Sequence, residues 1–127
     1  MNRATILVVE DDPSSMELAV ALLEWEGYTV YQASHGTGLI ELVKVHRPDL
    51  ILLDLQLPGM DGLALARLLK QDPATQGIIL VAMTAYALPG DREQALAAGC
   101  DGYIPKPLDT HIFRETLRRF LSPGAAG

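Results

Sequence analysis

Residues 50–62 read LILLDLQLPGMDG, in which four aliphatic residues, Leu50 to Leu53, run directly into Asp54. A short apolar run without polar alternation points to a strand covered on both faces, as in a parallel sheet. Working outward, comparable runs occupy Thr5 to Val9, Tyr28 to Ala33, Ile78 to Met83 and Gly102 to Ile104. Between them lie apolar stripes at helical spacing: Met16, Ala19, Val20 and Leu23; Leu39, Leu42, Val43 and His46; Leu65, Leu68 and Leu69; and, after the last run, Phe113, Leu117, Phe120 and Leu121. Asp12 is placed to cap a helix that begins at Pro13, and Gly27, Pro48, Pro73 and Gly99 each follow a helical pattern where a stop is needed. Strand and helix alternate five times, which predicts right-handed crossovers and an open, doubly wound α/β sheet. In such sheets ligands bind at the carboxyl ends of the strands.

The 127 residues are 49% hydrophobic and 20% charged, the size and mixture of one domain with a core over about residues 5–121 and a flexible tail from Ser122 to Gly127. Sixteen acidic residues against ten basic ones give a net charge of −6, which opposes direct binding to a nucleic-acid backbone. No apolar run approaches the roughly 18 residues of a membrane span, and Glu10, Asp11 and Asp12 cut off the N-terminal run before it resembles a secretion signal. Cys100 is the only cysteine, so no internal disulfide forms and the expected compartment is the cytoplasm.

The first strand leads straight into Glu10, Asp11 and Asp12, and the third into Asp54. If these strands are neighbours, the acids converge and repel unless a cation or a proton intervenes; hard oxygen ligands of this kind suit Mg²⁺ or Mn²⁺. Capping explains Asp12, but neither Glu10 nor Asp54. The fourth strand brings the Thr84 hydroxyl to the same edge, and the fifth leads through Pro105 to the Lys106 ammonium. Acids, a hydroxyl and a lysine together are the parts needed to hold a divalent ion and a transferred phosphoryl group, with Asp54 as acceptor.

The strings ILVVEDD (6–12), LILLDLQLPGMDG (50–62), VAMTAYA (81–87) and GCDGYIPKP (99–107) resemble the receiver domain of two-component response regulators, the CheY-like family. The resemblance implies a flavodoxin-like fold with strand order 2-1-3-4-5 and five helices. It implies that Asp54 is the phosphorylated aspartate, that Asp11 binds Mg²⁺ directly with Glu10 acting mainly through water, and that Gln56 contributes its backbone carbonyl. By the same resemblance Thr84 and Lys106 contact the phosphoryl oxygens, Tyr103 turns inward on activation, and a cis peptide joins Lys106 to Pro107. The implied phosphodonor is a sensor histidine kinase or a histidine phosphotransfer protein. The implied output is a protein contact through the fourth helix, fifth strand and fifth helix, and the domain is not counted as an enzyme. Glu10 stands where Asp is commoner, Leu108 where Phe is frequent, and Tyr86 and Gln56 flank the path of water to the phosphoryl group.

Other classes fit less well. A haloacid dehalogenase-like phosphatase needs a second acid two residues after its nucleophile to protonate the leaving group, and here that position is Gln56. Gly36 and Gly38 begin a poor dinucleotide motif, because Glu41 stands where the third glycine belongs, and no phosphate-binding GxxxxGK[ST] loop occurs. His35, His46 and His111 lack metal spacing and read as packing or surface residues. Trp25 and Tyr28 are expected to seal the core, and Cys100 to be a small buried residue. Within the family, the start at Met1 favours a stand-alone regulator. The GDREQALAAGCDGYIPKP segment resembles both DivK-like single-domain regulators and hybrid-kinase receivers, and a phosphorylation-independent binding module is the third alternative.

Overall fold

A computed structural model of the chain describes residues 4–57, 59–85 and 90–121. In chain order the elements are β1 (Thr5–Val9), α1 (Pro13–Trp25), β2 (Thr29–Ala33), α2 (Leu39–His46), β3 (Leu50–Asp54), α3 (Gly62–Gln71), β4 (Ile79–Thr84), α4 (Asp91–Ala97), β5 (Gly102–Pro105) and α5 (Thr110–Leu121). The five strands form one parallel sheet in the order β2-β1-β3-β4-β5, as the resemblance implies. Strand limits differ from the sequence reading by a residue: β2 begins after Tyr28 and β4 after Ile78, while β3, β4 and β5 extend to Asp54, Thr84 and Pro105. The extensions follow from pairing across strands, since Asp54 is in register with Met83 and Thr84 with Pro105.

Every residue of β3 is buried, because the central strand is covered by helices on both faces. Alternate side chains divide between two cores. Leu7, Ile51, Leu53 and Ala82 pack with Leu39 and Val43 of α2, Leu65 and Leu69 of α3 and Ala95 of α4. On the other face Ile6, Leu50, Leu52, Met83 and Ile104 pack with Ala19 and Leu23 of α1 and Phe113 and Leu117 of α5. Truncating a leucine in such a close-packed layer costs about 2–5 kcal/mol.

Helix starts follow the local chemistry. The Asp12 side chain accepts a hydrogen bond from Ser15 N at 3.0 Å and Pro13 opens α1, while Asp61 accepts from Leu63 N at 3.0 Å at the start of α3. Gly62 is required by space: a Cβ there would lie 2.5 Å from the Leu55 Cα, so α3 could not start this close to the end of β3. No helix among the described residues is long and apolar enough to cross a membrane.

Three apolar assignments need correction. Trp25 is 81% exposed at the end of α1 instead of sealing the core, a position Tyr28 does occupy by packing against the α1–α5 side. Leu68 is 57% exposed, and Ala66 takes its place in the buried face of α3, because the helix is rotated toward Leu65, Ala66 and Leu69. Val20 is only half-buried. His46 stacks on Tyr31 with ring centroids 3.9 Å apart, His35 Nδ1 and Ser34 Oγ are 2.7 Å apart, and His111 lies beside Glu115 on exposed α5. Cys100 is buried, which pushes its thiol up to about 11. The expectations for Tyr86 and the Ser122–Gly127 tail lie outside the described residues.

Candidate functional site

The order β1-β3-β4-β5 places the ends of four strands side by side, and the polar residues that interrupt each apolar run meet there. Glu10 and Asp54 are 1% and 2% exposed. Together with the exposed Asp11 they place one carboxylate oxygen each within 4.8 Å of one another. Asp54 is held on two sides, accepting from Gln56 N at 2.9 Å through Oδ1 and from Lys106 Nζ at 3.1 Å through Oδ2. The second oxygen of Glu10 accepts from Asp12 N at 3.1 Å. The Lys106 ammonium also lies against Glu10 Oε1, as a close charge contact not aligned as a hydrogen bond.

The charges at this edge do not balance. Burial raises the Glu10 carboxyl above its ordinary value, and the neighbouring Asp54 adds to the rise against the opposing pull of Lys106. Burial by itself would lower the Lys106 ammonium, but the carboxylates of Glu10 and Asp54 against it together outweigh burial and hold the lysine raised. One cation therefore faces two buried carboxylates with Asp11 alongside. A hard divalent cation fits this set: all three donors are oxygen, and Glu10 Oε1 is buried with no hydrogen bond.

Thr84, 4% exposed, ends β4 beside the Lys106 backbone, whose N–H donates to Thr84 O at 2.8 Å. With Gln56 and Gln94 it lines a cleft of about 140 Å³ between the β3–α3 connection and α4. The Lys106–Pro107 peptide is cis. Tyr103 is not at the acidic edge: it packs against the core on the α2–α4 side, where burial and then Asp91 raise its phenol. One contact went unread in the sequence. The Gln56 side chain accepts from Ala85 N at 3.1 Å and so ties the residues after Asp54 to those after Thr84. A glutamine two residues beyond an acid carries no signal that its amide will span 29 residues of chain.

The sequence pattern of the response regulator receiver domain matches residues 6–118. The polar-differentiation response regulator DivK of Brucella anthropi is 38% identical over 117 residues, covering 92% of this chain and 95% of that protein. The receiver domain of a sensor histidine kinase from Pseudomonas aeruginosa PAO1, solved with a magnesium ion coordinated in its active-site cleft, superposes with a TM-score of 0.83 at 33% identity, covering 94% of this chain and 98% of that one. The BeF3-activated N-terminal receiver domain of RstA from Klebsiella pneumoniae gives a TM-score of 0.84 at 32% identity, covering 93% and 98%.

Proposed function

The chain belongs to the response regulator receiver domain family, and on that premise we propose that it accepts a phosphoryl group on the Asp54 carboxylate from a histidine kinase or a histidine phosphotransfer protein. Receiver domains of response regulators interact with such proteins. The observation that carries the reading is the Asp54 carboxylate itself, buried at the end of β3, oriented by Gln56 N and Lys106, and set in an excess of negative charge. An Asp54 oxygen attacks phosphorus while the bond to the donor imidazole nitrogen breaks, and the leaving histidine takes up a proton. This transfer needs positioning and charge neutralisation more than covalent assistance.

Glu10, Asp11 and Asp54, with the Gln56 backbone carbonyl, would hold Mg²⁺ or Mn²⁺. Bound there, the ion neutralises the acids and the charge on the phosphoryl oxygens. Lys106 supplies a second positive charge to the phosphoryl group, and the Thr84 hydroxyl donates to another of its oxygens. The added charge draws Thr84 and Lys106 toward Asp54, which shifts the β4–α4 connection and Tyr103 and presents the α4–β5–α5 face to a downstream protein. In this role the chain acts as a switch and not as an enzyme with an external product. Relatives of both arrangements, a DivK regulator and a kinase-borne receiver, support the phosphoacceptor reading equally.

The test is intact mass after incubation with Mg²⁺ and acetyl phosphate, for the wild type and Asp54→Asn. A single phosphoryl adduct on the wild type alone is expected. An adduct of equal yield on the asparagine variant moves the site elsewhere, and no adduct with acetyl phosphate, phosphoramidate or a phosphorylated kinase favours a phosphorylation-independent module.

A further inference from the structure

Helix α1 is apolar over more of its surface than the core uses. Ala19 and Leu23 are buried, whereas Met16 and Val20 are half-buried and Ala21 is exposed. Pro13, Met16 and Val20 recur at three- and four-residue intervals and form one stripe, which with Ala21 beside it and Gln32 of β2 lines an open groove of about 440 Å³. Glu17 and Glu24 stand at its rim, both exposed and about 10 Å apart along the helix axis at 1.5 Å per residue. The ion pairs formed among the described residues lie elsewhere and leave these two carboxylates uncompensated.

Beside this groove the sheet ends at β2. Thr29 N donates to Ala4 O at 3.1 Å and Ala33 O accepts from Glu10 N at 2.9 Å. The alternation of a parallel ladder therefore turns the backbone groups of Thr29, Tyr31 and Ala33 toward β1, and those of Val30 and Gln32 away from it. Edge strands are ordinarily blunted by charge or proline. The other edge strand, β5, ends in Pro105 and is flanked by Asp101 and Lys106, but β2 is TVYQA, with neither device.

We propose that the β2 edge and the α1 groove together receive an extended segment of a partner protein, which adds to the sheet as a sixth strand. The segment's side chains on the groove side alternate as basic, apolar, basic: the apolar one covers Val20 and Ala21, and Lys or Arg on either side meet Glu17 and Glu24. Main-chain bonds to Val30 and Gln32 supply affinity, and the acidic rim supplies selectivity. A second copy of the chain fits poorly, because two-fold pairing of β2 edges sets the acidic rims against each other in a chain of net charge −6. The surface is independent of the phosphoacceptor reading, since none of its residues belongs to the acidic cluster.

The experiment uses the full ¹⁵N-labelled chain titrated with the capped peptide Thr-Lys-Thr-Val-Thr-Lys-Thr, with Thr-Glu-Thr-Val-Thr-Glu-Thr as control. The basic peptide is expected to move the amide resonances of Val30 and Gln32 and of the α1 stripe. The double variant Glu17→Lys, Glu24→Lys, at exposed positions, is expected to bind it at least about tenfold more weakly and to prefer the acidic peptide. Gln32→Pro removes an outward N–H that β1 does not use and is expected to abolish the response; if that variant does not fold, the charge swap decides. The proposal is overturned by no response, by equal response to both peptides, or by shifts confined to Glu10, Asp11 and Asp54. It is also overturned if β2 shifts appear with rising protein concentration alone, which would assign the edge to a second copy.

Discussion

Two lysines meet carboxylates at opposite ends of the same sheet, and they do so in opposite ways. At the amino ends of β4 and β5, Lys70 Nζ donates to Ile78 O at 2.8 Å, to Gln76 O at 3.3 Å and to Asp101 Oδ2 at 2.8 Å, while that Asp101 oxygen also accepts from Leu80 N at 2.8 Å. One cation faces one anion, and the ammonium's three donors all have partners. Gly99, at φ +106, lets the chain pass so close that a Cβ would lie 2.7 Å from the Lys70 Cγ. At the carboxyl ends Lys106 faces Glu10 and Asp54 with Asp11 beside them, and Glu10 keeps a buried oxygen without a hydrogen bond. The same residue types make a clip where they are satisfied and a binding site where they are not.

This contrast is open to attack from both ends. The largest effect is expected from Asp54→Asn, which removes phosphoryl acceptance altogether while the fold persists, as intact mass and circular dichroism together will report. Lys70→Met is expected to do the reverse. Leaving Asp101 without its counter-charge and two carbonyls without this donor costs about 1–3 kcal/mol in urea unfolding, with adduct formation unchanged.

Millimolar Mg²⁺ is expected to raise the melting temperature of the wild type by several degrees, an effect that chelation reverses and Asp11→Asn removes. Saturating a site a hundredfold above its Kd contributes about 2.7 kcal/mol. A metal-induced rise of equal size in Asp11→Asn would place the ion away from this edge.

Acidity offers a finer probe. Burial and Asp54 raise the folded Glu10 carboxyl above its unfolded value of 4.5, so the protonated form favours the folded state. The associated stability is fully present below pH 4.5 and is lost as pH rises through the higher folded value. Without divalent ions, Glu10→Gln is therefore expected to flatten this decline, as denaturant titrations across the interval will show; an unchanged slope assigns it to another group. The smallest effect belongs to Trp25→Ala. At 81% exposure this change is expected to stay within about 0.5 kcal/mol, and a loss of several would restore the tryptophan to the core.

Much of the architecture was legible because backbone periods are local. The alternation of apolar runs with three- and four-residue stripes marked the five strands and four of the five helices, α4 alone lacking a stripe, and the observed strand limits differ by about a residue. The Asp12 cap and the Pro13 start were equally plain, since both act within one turn. What failed was the assignment of apolar residues to the interior. Trp25 and Leu68 satisfy a hydrophobic pattern as well as Leu23 and Leu69 do, but the rotation of a helix on its sheet is set by the packing of the whole layer. The Gln56 side-chain contact was illegible for a related reason, because its partner at Ala85 lies in another connection.

The sequence by itself therefore determined the order of strands and helices, the family, and the placing of Glu10, Asp11, Asp54, Thr84 and Lys106 at strand ends, all of which follow from pattern along the chain. Only the tertiary structure decided which charges are balanced. Lys106 reaches Asp54 across 52 residues and Lys70 reaches Asp101 across 31, and Coulomb energy and desolvation depend on distance and burial in space, quantities that no local spacing contains.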